Sequence, residues 1–244
     1  MRTLLSVDWD YFFPNPNEAG SSKPGDLVLF DWGHREAPLF ESSMMWHLRA
    51  SGFLRAGRDL PRTSGDEIGW WERFRFADDA ELWIAESHAM AAFVATRLRA
   101  DAIWNYDAHH DCGYGPLHPD AFDCSDWIRS VRVWIDPDVH VRYPRWVVHP
   151  SAQQSAPDWA DARIDDPDEL LPAFDAAFVC RSPAWVPTWC DDAFTAFVAA
   201  CPLPVRVVTR RGRPTPDPRL PRGFNLDTAR AYAAQTDAAM GGAA

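Results

Sequence analysis

Apolar residues in this chain gather in short runs broken by Pro, Gly, Asn and Asp, with stripes at helical spacing between some of the runs. Eight runs predict strands, at roughly 3–9, 26–32, 81–87, 101–108, 131–136, 145–150, 176–182 and 205–210. Several, such as Ala176-Ala177-Phe178-Val179-Cys180, are almost continuously apolar, which suits strands covered on both faces of a parallel sheet. Helices are predicted over 41–53 (Met44, Met45, Leu48, Phe53), 88–99 (Met90, Phe93, Val94, Leu98) and 191–201 (Phe194, Phe197, Val198). A last helix is predicted over about 225–240, with the terminal few residues fraying. Residues 14–24 and 55–69 read as loops, and 212–224, rich in proline, as an extended connector. Strand, helix, strand predicts an α/β fold: one three-layer domain over residues 1–244, built on a mainly parallel, roughly eight-stranded sheet.

Charged residues at two run ends change the picture. Asp107, His109 and Asp111 follow the apolar run Ala102-Ile103-Trp104-Asn105-Tyr106, and Asp8 and Asp10 follow Thr3-Leu4-Leu5-Ser6-Val7. On a continuing strand, residues two and four apart share a face and converge. An open parallel sheet binds its ligands at the carboxyl ends of its strands, where both groups fall. His88, at the end of a third run, completes a set of six: Asp8, Asp10, His88, Asp107, His109 and Asp111. Carboxylates packed this closely repel one another unless protonated or bridged by cations. Two divalent ions satisfy them, and such a pair acidifies a shared water into a nucleophile near neutral pH. Oxygen-rich donors with two imidazoles favour manganese over zinc. His110 points to the opposite face of a continuing strand, leaving open whether it supports the ligands or faces substrate.

Composition narrows the partners. A formal net charge of −11 argues against nucleic acid or an anionic membrane surface. No apolar run approaches the ~18 residues of a membrane span. The five cysteines are odd in number and form no Cys-x-x-Cys pair, and no secretory leader pattern is visible, so reduced thiols in a cytoplasmic protein are expected. Cys112, Cys124 and Cys180 read as small core residues.

The stretch Asp107-Ala108-His109-His110-Asp111, with Ser6-Val7-Asp8-Trp9-Asp10, resembles the arginase or ureohydrolase superfamily, and Asp8-Trp9-Asp10-Tyr11-Phe12 resembles its peptide-arginase branch most. Glu86-Ser87-His88 and Ser125-Asp126-Trp127-Ile128 resemble two further segments of that branch. The resemblance covers about a quarter of the chain. It implies an arginase/deacetylase-like fold, a manganese pair (two Mn2+ per chain), and hydrolysis of arginine side chains in a ribosomally made precursor peptide to ornithine and urea. It further implies that Asp107 and Asp8 bridge the ions, that His88 and Asp111 complete one coordination sphere, and that His109 and Asp10 complete the other. In the family the Asp-x-Asp strand follows the Asp-x-His-x-Asp strand; here it precedes it, as in a circular permutation.

From this reading His110 and Asp111 are catalytic candidates, and Asp126, Trp127 and Glu36 are substrate contacts, with Asp31 a further acidic candidate for a guanidinium. Arg181-Ser182-Pro183-Ala184-Trp185 closes a strand and is placed at the same mouth. Tryptophans 32, 46, 70, 71, 185 and 189 are dense near loops and suit a groove for an extended peptide. The alternatives are an amidinohydrolase or a one-zinc deacetylase acting on a small compound, and a non-catalytic relative that binds a precursor peptide. A phosphotransfer enzyme using Asp8 with Arg181 and Ser182 is a further alternative.

Overall fold

A computed structural model describes residues 1–17, 23–31, 39–114, 123–147, 155–208 and 217–241. Seven strands form one all-parallel sheet: β1 (Thr3–Asp8), β3 (Leu82–Ala85), β4 (Ala102–Tyr106), β5 (Asp138–Tyr143), β6 (Ala160–Ile164), β8 (Ala176–Cys180) and β9 (Val205–Val207), in the order β6-β5-β4-β1-β8-β3-β9. Two two-residue strands, β2 (Arg75–Phe76) and β7 (Ala173–Phe174), pair beside it. Among the described residues, six α-helices accompany the strands: α1 (Pro24–Leu29), α2 (Leu39–Arg55), α3 (Ala91–Leu98), α4 (Trp127–Ile135), α5 (Asp191–Ala200) and α6 (Leu226–Gly241).

The sheet divides two cores. Leu5, Val7, Leu82, Ile84, Trp104, Tyr106 and Val179 face Trp46 and Phe53 of α2, Phe194 and Phe197 of α5, and the aromatic turn Trp70–Arg73. Leu4, Ile103, Val139, Val141 and Phe178 face Val94 of α3 and Trp127, Ile128 and Val131 of α4. Alternate residues of each central strand thus enter opposite cores, giving three layers. α6 lies on α2. Among the described residues no helix is long and apolar enough to cross a membrane.

The α/β class and the parallel sheet follow the sequence pattern, with seven strands where about eight were expected, but three expected strands differ. Of the strand expected at 26–32, residues 26–29 belong to helix α1 and residue 32 lies outside the described residues; Pro24 takes the first helical position and the Asp26 carboxylate accepts the Lys23 N–H at 3.0 Å. The alternating run 131–136 is the second half of α4. Trp127, Ile128 and Val131 bury one helical face, leaving Val133 and Trp134 exposed. The strand expected at 145–150 lies upstream as β5. Pro144, which lacks a ladder N–H, follows its end, and residues 148–150 are outside the described residues. The short β2 and β7 and the edge strand β6 carried no usable pattern. Helix α2 also turns a different face inward. Trp46, Ala50 and Phe53 are buried, whereas Met44, Met45 and Leu48 are exposed.

Candidate metal centre

Four adjacent strands, β4, β1, β8 and β3, deliver their carboxyl ends to one edge. Asp8 is the last residue of β1 and caps the short turn Trp9–Phe12, its Oδ1 accepting the Asp10 N–H at 3.1 Å. Asp10 lies in that turn, and its Oδ1 accepts the Ala108 N–H at 3.3 Å, stitching the end of β1 to the loop after β4. His88 opens a turn after β3 that is capped by Ser87.

The loop after β4 does not continue as a strand. Asp107 Oδ1 accepts the His109 N–H at 2.8 Å, folding the chain back, and Asp111 takes a left-handed backbone (φ 52°). Asp tolerates that region better than most residues, and its use here re-aims the third carboxylate at the first. Convergence of 107, 109 and 111 therefore comes from a folded loop and not from strand alternation.

The six expected ligands meet in two groups that share Asp107. His88 Nδ1 lies 3.1 Å from Asp107 Oδ2, 2.8 Å from Asp111 Oδ2 and 3.2 Å from Asp8 Oδ2. His109 Nδ1 lies 3.0 Å from Asp10 Oδ2 and 3.5 Å from Asp107 Oδ1. The two oxygens of one buried carboxylate thus face two different donor sets. Asp8 groups with His88 and with Cys180, not with Asp10 and His109, so the bridging role the resemblance implied for it is not what these groupings present.

Three of the ligands have an outer partner. Ser6 Oγ is 2.8 Å from His88 Nε2, Asn105 Nδ2 donates to Asp107 Oδ2 at 3.3 Å, and Trp127 Nε1 donates to Asp111 Oδ2 at 2.9 Å. Such partners fix ligand orientation in metal sites.

Among the six ligands, two buried atoms lack a hydrogen-bond partner: His88 Nδ1 and Asp10 Oδ2. With the ring proton on Nε2 toward Ser6, His88 Nδ1 turns a lone pair on three carboxylate oxygens. That arrangement is repulsive without a cation and favourable with one. The protonation pattern says the same. Burial, then the charges of Asp8 and Asp107, raise Asp10 well above the usual carboxylate range. Burial and Asp107 push Asp111 up to about 8. Burial works against a charged Asp107, yet the imidazoles of His109 and His88 beside it hold it low; burial likewise opposes a charged His88, and Asp111 and its neighbours still raise it. Without metal the cluster must store protons. Four carboxylates and two neutral imidazoles match the charge of two divalent cations, so the donor set fits such a pair.

One side of the cluster opens to a cleft of about 260 Å³ lined by Asp8, Asp10, His109, Asp111, Tyr114, Cys124, Ser125 and Trp185. The His109 side chain is 21% exposed, whereas His88 and Asp107 are sealed. The Trp185 ring stands edge-on to His109 at 6.0 Å.

Comparison with protein-family models, curated proteins and solved structures finds no match. The likeness to peptide arginases therefore rests on the short motifs alone.

The other expected site residues fall elsewhere. His110 is buried, its Nδ1 accepts the Cys112 N–H at 2.9 Å and its ring stacks 4.2 Å from Tyr114; burial lowers it to about 4, so it is neutral at pH 7. Trp127 is wholly buried, so it touches Asp111 and the His88 ring, not the cleft. Asp126 is buried at the start of α4, accepting the Asp123 N–H. Glu36 and Trp32 lie outside the described residues, and Asp31 is on the exposed surface. Of the segment 181–185, Trp185 reaches the cleft, while Arg181 is buried between Glu86 and Asp191. Sequence reasoning passed over Ser6, Asn105 and Cys180. Ser6 and Asn105 are polar residues inside otherwise apolar strand runs, the signal that could have found them.

Proposed function

We propose that this chain is a hydrolase dependent on two divalent cations, manganese by preference, and that it converts an arginine side chain of a peptide to ornithine, releasing urea. The observation that carries the reading is the split of Asp107 between two donor sets, Oδ2 toward His88 and Oδ1 toward His109. When bound, the pair supplies an activated water and cancels the charge of the four aspartates. His88 and Asp107 are sealed from solvent, while Asp8, Asp10, His109 and Asp111 line the cleft where a substrate would arrive. Among the described residues lining the cleft there is no Lys or Arg, and three are Asp. A lining without basic residues sets no repulsion against a cationic group such as a guanidinium. The phosphotransfer reading needs a free Arg181, and that guanidinium is committed to Glu86, Asp191 and the Leu220 carbonyl.

In the reaction, water adds oxygen to the guanidinium carbon, the bond from that carbon to the side-chain nitrogen breaks, and the leaving amine takes up a proton. Tyr114 and Trp185 flank the acidic floor and would bracket a flat cation. The narrower identity of the substrate as a peptide rests on the motif resemblance.

The test is incubation of manganese-loaded protein with arginine-containing peptides, free arginine and small guanidino compounds, followed by mass spectrometry and urea detection. Ornithine in the peptide with equimolar urea is expected. Turnover of small compounds alone would move the assignment to an amidinohydrolase, and no urea from any of them would reject the reaction.

A further inference from the structure

We infer that Cys180 is a ligand of the inner cation, the one beside His88, so that the two halves of the centre select different metals: a thiophilic ion such as zinc there, and a harder, oxygen-seeking ion such as manganese beside His109. This rests on the reading that the cluster holds cations. It departs from a like pair.

Sheet register places the thiol there. Cys180 ends β8, paired with Asp8 of β1 on one side and with Ala85 of β3 on the other, three residues before His88. A ligand atom from each of Asp8, His88 and Cys180 lies within 4.8 Å of the others. Donors on one tetrahedral ion at about 2.0–2.3 Å stand about 3.3–3.8 Å apart, so the three would draw together as an ion binds. The second observation is the His88 Nδ1, buried and without a hydrogen-bond partner, facing Asp8 Oδ2 at 3.2 Å.

The two halves differ in softness. The set around His88 adds a thiol to its carboxylates, whereas Asp10, Asp107 and His109 offer two carboxylates and one imidazole. Both halves border the cleft, the first through Asp8 and Asp111 and the second through Asp10 and His109. Thiolate favours zinc, and carboxylate with water favours manganese. A thiol must give up its proton to bind, so loading the inner half releases that proton to solvent.

The experiment is stepwise loading of the full-length protein with cobalt(II), followed by near-ultraviolet absorption. A sulfur-to-cobalt charge-transfer band that grows with the first equivalent and stops is expected. Cys180→Ser should abolish it, and Cys124→Ser, at the cleft, should not. X-ray absorption on the unmodified zinc-loaded protein, which needs no variant to fold, should show sulfur at about 2.3 Å. Cys180→Ser should also weaken zinc at the first equivalent by more than the about 10–100-fold that loss of an outer partner costs, leaving manganese at the second unchanged. Cobalt bound without a sulfur band or sulfur scatterer, or a band that survives Cys180→Ser, overturns the inference and leaves the cation centre standing. Failure to bind cobalt at all removes both.

Discussion

Trp127 donates its indole N–H to Asp111 Oδ2 at 2.9 Å, and the same ring packs 5.2 Å from the His88 ring. One side chain from the first turn of α4 thereby sets the position of a carboxylate that stands at the end of a left-handed residue sixteen positions earlier. Its removal should be felt as metal affinity. Trp127→Phe keeps the buried ring and deletes the donor, so affinity for the inner cation is expected to fall about 10–100-fold. Titration followed by calorimetry checks this. An unchanged affinity would mean that Asp111 is held by its backbone alone.

The acidity of the cluster makes stability depend on metal in a pH-dependent way. Burial and Asp107 raise Asp111 to about 8 in the folded, metal-free protein, against about 3.9 for an unfolded Asp. A raised carboxyl binds its proton more tightly folded than unfolded. Metal-free stability from this group is therefore greatest at low pH and is lost as pH rises toward about 8. Cation binding displaces those protons and so strengthens with pH. The difference in Tm between manganese-loaded and chelator-treated protein should widen from about pH 6 to about pH 9. Scanning calorimetry at both values measures it, and a constant difference would contradict the proton-loaded cluster.

Asp191 anchors the cleft from behind. It receives Arg222 Nε at 3.0 Å and Nη2 at 2.6 Å, and Arg181 Nη1 at 3.5 Å. Arg222 in turn donates to the Pro183 and Val186 carbonyls, on the turn that carries Trp185. Asp191→Ala leaves the buried Arg222 guanidinium without its carboxylate and is expected to cost about 3–5 kcal/mol. For a chain of this size that corresponds to about 10 °C in Tm. Because Trp185 loses its support, KM should rise more than kcat falls, which steady-state kinetics on the surviving folded fraction would reveal.

Much of the centre was legible because ionisable side chains at the ends of apolar runs are costly without a partner, and Asp8, Asp107 and His88 all stand at such ends. The route by which they meet was not. Asp111 arrives through a positive φ that no side-chain alternation anticipates. Cys180 looks like any small core residue until strand pairing sets it beside Asp8. In the seven-stranded sheet the strands that went unread are β5, whose Arg142 is buried by Glu169 and Asp161, and the exposed edge β6. In both, polar residues carry interactions made only in the folded sheet. Trp127 was singled out for the wrong reason. Its place near the site was readable from the motif, but its burial depended on which face α4 turned inward.

If the two oxygens of Asp107 serve two donor sets, metal content per chain should depend on that one carboxylate. The protein is to be loaded, dialysed exhaustively and assayed by elemental analysis against protein concentration. Two cations per chain are expected for the unmodified protein, about one for His109→Ala, which loses the cleft-side imidazole, and none retained for Asp107→Asn, which weakens both sets at once. Absence of bound metal in the unmodified protein, or full retention in Asp107→Asn, would contradict the account.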